Sequence, residues 1–127
     1  MKENPLLDKS KAFAVRAVRL YVYLTQKSDN KEYILSKQFV RSATSIGANI
    51  NEGVNGQTKS DFASKMSIAL KEAGECCYWI DLLHETEYIS DSEYTSIIAD
   101  CEELKKMLTS IVKTTYEDLG KRGHSEK

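Results

Sequence analysis

Residues 62–83 read FASKMSIALKEAGECCYWIDLL, and the fold turns on this stretch. Phe62, Met66, Ala69, Ala73, Cys76, Ile80 and Leu83 follow one another at alternating steps of four and three. An α-helix turns once every ~3.6 residues, so these side chains share one stripe, the seam used when helices pack into bundles. Three other segments carry the same spacing. Phe13, Ala17, Leu20 and Leu24 form the first, and Phe39, Ala43, Ile46 and Ile50 the second. Tyr94, Ile97, Cys101, Leu104, Leu108 and Ile111 form the last.

The interruptions fit four helices. Lys27-Ser28-Asp29-Asn30 separates the first two segments, and Gly53-Val54-Asn55-Gly56 separates the second from the third. Thr58 with Asp61, or Ser60 alone, suits the start of the third helix. Ser90 with Glu93 has capping-box spacing at the start of the fourth. Gly120 and the polar tail are expected to end it. Helices of roughly 20–28 residues would be about 30–40 Å long. Short connections make neighbours antiparallel, so the expected fold is all-α, an antiparallel up-down-up-down four-helix bundle. It occupies residues 8–119 as one domain, with 1–7 and 120–127 as flexible tails.

Composition agrees. The chain has 127 residues, one proline and six glycines, too few turn formers for a sandwich or barrel. Its formal charge is −1, but this average is uneven. Residues 1–60 hold ten Lys/Arg against five Asp/Glu, and residues 61–127 hold eight against fourteen. The halves are therefore +5 and −6. No run approaches the ~20 apolar residues of a membrane span. The N-terminal MKENPLLDKS lacks the apolar core of a signal peptide, and three cysteines make no secreted disulfide framework. The expected compartment is the cytoplasm.

Two helices have apolar residues beyond their main stripe. Helix 1 adds Val15, Val18 and Val22, with Tyr21 and Tyr23 nearby; helix 3 adds Leu70, Cys77, Tyr78 and Trp79. Either the core stripe is wide, or copies of the chain bury these flanks against one another. Helix 2 is different in kind: Ser42, Ala43, Ser45, Gly47 and Ala48 permit close backbone approach, and Asn49 and Glu52 share a face. Its polar residues read as structural specification rather than as a ligand site.

The pattern Gln38…Arg41-Ser42-Ala43…Ser45-Ile46…Asn49-Ile50…Glu52-Gly53, followed by Phe62, Ala69 and Glu75, resembles the four-helix bundle proteins of the rRNA intervening-sequence family. Some of that family are encoded within insertions in 23S ribosomal RNA genes, and accessory proteins of diversity-generating retroelements are similar to them. The likeness spans residues 8–119. Asn51 stands where alanine is common, Gly47 where proline is frequent, and Val54-Asn55-Gly56-Gln57 lacks the usual Gly-Arg pair. The resemblance implies a left-handed bundle assembling as a ring-like homo-oligomer, a pentamer. In the retroelement branch it also implies binding to nucleic acid and a reverse transcriptase.

Catalysis finds little support. The two histidines, His84 and His124, cannot build a two-histidine metal face, and Glu72 with Glu75 has no Glu-x-x-His partner motif. The stretch GVNGQTKS lacks Walker A spacing, and no histidine is expected beside the cysteines. No enzyme activity, cofactor, metal or small-molecule substrate is expected. Candidate nucleic-acid contacts are Lys9, Lys11, Arg16, Arg19, Lys37 and Arg41, which share helices 1 and 2. They make either one positive surface, repeated by symmetry, or ion pairs with helices 3 and 4, such as Arg41 with Glu75 or Asp81. Two functions follow: an oligomeric accessory factor touching RNA or DNA, or a protein-interaction scaffold that touches neither.

Overall fold

Four helices carry the chain in the computed structural model, which describes residues 4–125 and the side chains through residue 121. Helix α1 spans Pro5–Val22 and continues as one wide π-helical turn, Tyr23–Lys27. Helix α2 spans Leu35–Val54, α3 Lys59–Glu85 and α4 Asp91–Ser125. There is no strand among the described residues.

Cross-helix pairs fix the directions. Between α2 and α3, Glu52 pairs with Lys65 and Arg41 with Glu75; between α3 and α4, Lys59 pairs with Asp118 and His84 with Asp91. Between α1 and α4, Lys9 pairs with Glu103 and Arg16 reaches Ser96. In all three cases one number rises as the other falls, so each pair runs antiparallel. Helices α1 and α2 must then also oppose each other, which makes the bundle up-down-up-down.

The four stripes meet at its centre. Phe39, Ala43, Ile46 and Ile50 of α2 are fully buried, as are Met66, Ala69, Ala73, Cys76, Ile80 and Leu83 of α3. Phe13, Ala17 and Leu24 cover them from α1, and Ile97, Cys101, Leu104 and Leu108 from α4. Leu20, Phe62, Tyr94 and Ile111 pack at the edges, half-buried.

The boundaries differ from the expectation at both ends. Helix α1 starts at Pro5 inside the supposed tail 1–7, with the Asn4 side chain accepting the Leu7 N–H at 3.1 Å. An asparagine cap followed by proline in the first turn is a strong helix start, and Leu6 is buried. Helix α4 runs through Gly120 to Ser125, giving 35 residues rather than at most 28. Helix α2 likewise passes Gly53. A glycine inside a helix costs about 1 kcal/mol but ends it only by turning left-handed, and no described glycine has positive φ. Glu87 makes that turn instead, at φ 68°, closing α3 with Tyr88 N–H donating to Leu83 O at 2.9 Å. The capping box at α4 forms as spaced: Glu93 N–H donates to Ser90 Oγ (3.2 Å) and Ser90 N–H to Glu93 Oε1 (2.8 Å). Thr58, not Ser60, caps α3.

Helix α2 has no serine, threonine, aspartate or asparagine cap. Glu32 supplies the acceptors from the preceding loop, where it is buried. Ser36 N–H donates to its Oε1 at 2.6 Å and Ile34 N–H to its Oε2 at 2.9 Å. Burial pushes this carboxyl up, but the N–H groups of Ser36, Leu35 and Ile34 and the Ser36 hydroxyl outweigh it and hold it below its ordinary 4.5. The positive end of the helix favours the same charge.

The two buried glycines of α2 differ in what surrounds them. A Cβ at Gly47 would meet the Ser10 carbonyl oxygen at 3.6 Å, an ordinary contact. A Cβ at Gly53 would stand 2.6 Å from Met66 Cε and 3.1 Å from Lys65 Cβ, and the latter is fixed to its helix.

Two measurements follow. Gly47→Ala should raise unfolding stability by about 0.5–1 kcal/mol, whereas Gly53→Ala should lower it by about 1–2 kcal/mol, both read by urea titration. For Glu32, the folded chain binds fewer protons than the unfolded one near its pKa. Its contribution is thus complete above pH 4.5 and is lost as pH falls through the lower native value. Glu32→Gln should cost about 1 kcal/mol at pH 7 and flatten the decline in stability below pH 4.5. An unchanged decline would assign it to other carboxylates.

Candidate interaction surface

Helix α2 turns two unlike sides to its surroundings. Ser42, Ala43, Ile46, Gly47, Ile50 and Gly53 face inward and are buried. The Ser42 hydroxyl is satisfied locally, at 3.0 Å from Phe39 O and 3.1 Å from Gln38 O. Gln38, Arg41, Ser45, Asn49 and Glu52 recur at steps of three and four along the outer edge. Of these, Arg41 reaches Glu75 at 3.3 Å and Glu72 at 3.6 Å, while Glu52 meets Lys65 at 2.8 Å. Asn49 Nδ2 donates to Ser45 O within its own helix, at 2.8 Å. The motif thus ties α2 to α3 and satisfies its own backbone.

The six candidate cations divide evenly. Arg16 donates to Asp100 Oδ2 (2.8 Å), Ser96 O (3.2 Å) and Ser96 Oγ (2.6 Å), all on α4. Lys9 pairs with Glu103 and Arg41 with the α3 acids. Lys11, Arg19 and Lys37 are exposed and form no ion pair among the described residues. A cleft of about 240 Å³ between α1 and α4 is walled by Lys9, Arg16, Asp100 and Glu103, two ion pairs rather than a field of one sign. Residues that composition by halves hid are Lys105, Lys106 and Lys113, which line one side of the acidic half's α4 and form no ion pair among the described residues. Only the placement of individual charges along α4 could have shown them.

The extra apolar flanks also part ways. On α3, Cys77 is buried, and Leu70 and Trp79 pack against the core, leaving Tyr78 outside at 58% exposure. On α1, Val15 and Val18 each remain 44% exposed, in a shallow apolar groove that Lys11, Ala14 and Arg19 complete.

His84 is held in a structural lock: its Nε2 lies 2.7 Å from Asp91 Oδ1, and its ring stacks on Tyr94 at 4.1 Å. The Tyr94 hydroxyl donates to Asp81 at 2.7 Å, and that bond, with burial, raises its pKa. Glu85 and Glu87 beside it are exposed. His124 lies outside the described side chains. Among the described residues, no group of three His, Cys, Asp or Glu side chains is placed to hold a metal ion, and no helix is long and apolar enough to cross a membrane.

Comparison with known proteins agrees with this architecture. A crystal structure of a protein of unknown function from the S23 ribosomal protein family of Bacteroides thetaiotaomicron VPI-5482 is 51% identical. The match covers 89% of this chain and 99% of that one, with a TM-score of 0.83. No curated protein matches. The family model of the 23S rRNA-intervening sequence protein matches residues 2–110, and the chain belongs to that family.

Proposed function

We propose that this chain is a non-catalytic helical-bundle protein that assembles with copies of itself, α1 supplying the contact face. The observation that carries this reading is the pair Val15 and Val18, 44% exposed and one turn apart. Lys11 and Arg19 border them without ion pairs among the described residues, as polar residues rim an apolar interface centre. The ring-like pentamer implied by the family resemblance is the specific form of this assembly.

A nucleic-acid accessory role, including partnership with a reverse transcriptase of the retroelement type, is the second reading. Lys11, Arg19 and Lys37 favour it, since unpaired cations release counterions from a phosphate backbone and a ring repeats them. A scaffold that engages only protein is the remaining form.

Light scattering after gel filtration should give a mass several times that of one 14.4 kDa chain. Val15→Glu with Val18→Glu should reduce it to one chain with helical circular dichroism intact; a monomeric wild-type protein would overturn the assembly. Fluorescence anisotropy on structured RNA tests the second reading. Lys11→Glu, Arg19→Glu and Lys37→Glu together should weaken binding by roughly tenfold or more at about 50 mM salt. No wild-type binding under those conditions would leave the protein-only scaffold, which should retain a partner through nuclease treatment and high salt.

A further inference from the structure

All three cysteines of the chain meet at the α3–α4 seam. Cys76 and Cys101 are fully buried, and Cys77 keeps 6% of its surface. The Cys77 thiol donates to Cys101 Sγ at 3.0 Å across the two helices, and the Cys101 thiol lies 3.4 Å from Ala73 O. A disulfide needs the sulfurs at about 2.05 Å, so about 1 Å of further approach would join them. The cysteines are free thiols in this structure.

We propose that Cys77 and Cys101 form a peroxide-oxidisable dithiol that cross-links α3 to α4. Cys77 is the site of attack, being the member of the pair with surface left to meet a small oxidant. Its sulfur bonds to one peroxide oxygen as the O–O bond breaks, giving a sulfenic acid and water. Cys101 sulfur then attacks the sulfenic sulfur; the S–S bond forms, the S–O bond breaks, and a second water leaves with the thiol proton. The two thiols lose two electrons and hydrogen peroxide gains them. Cys76 keeps its thiol. The reaction is slow at neutral pH. The hydrogen bond to Cys101, burial and nearby Glu102 all push the Cys77 thiol up, and Cys76 and burial push Cys101 up, so little thiolate is present.

The test is thiol counting on the intact chain. Reduced protein is exposed to millimolar hydrogen peroxide at pH 8.5, quenched, denatured and alkylated, then weighed. The proposal expects loss of two hydrogens, one alkylated cysteine instead of three, and a Tm raised by several degrees. Trypsin leaves all three cysteines on one peptide, because no Lys or Arg lies between residues 72 and 104. Digestion at glutamate or aromatic residues, followed by fragmentation of the linked peptide between the adjacent Cys76 and Cys77, is therefore needed to map the link. Cys76→Ser should cross-link as before, and Cys77→Ser should not. Three alkylated thiols, stable addition of oxygen to Cys77, a link through Cys76 or a disulfide between two chains would each overturn the proposal. Mapping the wild-type link requires no variant, so a poorly folding Cys77→Ser leaves the test intact.

Discussion

Gly53 has no space for a Cβ beside Met66 and Lys65, and the backbone contact it permits sets how near α2 lies to α3. On the opposite side Gly47 faces the Ser10 carbonyl with room for a Cβ, so the close approach is to α3 alone. At that spacing Phe39, Ala43, Ile46 and Ile50 lose all contact with water. Burying such side chains contributes about 1.5–3 kcal/mol each for the larger ones, and packing density makes the last tenths of an ångström count. Register then follows. Once Gly53 sits on Met66 in an antiparallel pair, Arg41 must fall opposite Glu72 and Glu75, and Glu52 beside Lys65.

The cross-helix ion pairs are results of this register more than its cause. Their side chains are mostly between about one-third and three-fifths exposed, a setting in which such pairs contribute little, about 0–1 kcal/mol, and salt screens them. Their larger effect is on the outside. Lys9, Arg16 and Arg41 have their charge answered within the chain, so the +5 of the first 60 residues does not reach solvent as one positive face. Meanwhile the acidic half exposes Lys106 and Lys113, with Lys105 half-buried beside them. A charge sum over half a sequence describes neither surface.

The parts legible in advance were those that depend on local spacing. The 3/4 stripes, Thr58 before α3 and the Ser90/Glu93 box each involve residues within a turn or two of one another. Three features required the folded chain. Glu32 becomes a cap only because the loop buries its carboxylate against Ser36 and Ile34, and a glutamate in a polar linker carries no sign of that. Gly53 and Gly120 looked like stops because glycine often is one, but residue type does not encode the sign of φ; Glu87 took the left-handed position. The partners of Lys9 and Arg16 lie 94 and 84 residues away, beyond any pattern in neighbouring positions. For the candidate surface, periodicity marked both extra flanks equally and could not tell which one the bundle would cover.

Position within the bundle separates those flanks. Helix α3 is packed between α2 and α4, so a wide stripe on it finds neighbours on both sides, and Leu70, Cys77 and Trp79 are drawn inward. Helix α1 packs firmly on α2 but only lightly on α4, so a third flank on it has no neighbour in the chain. Single apolar residues on a surface need no explanation, because most folded surfaces carry many. Val15 and Val18 differ in being adjacent, in sharing a groove and in lying between cations that the fold leaves unanswered. A contact that covered this strip would bury the valines and offer Lys11 and Arg19 to acidic groups at its rim.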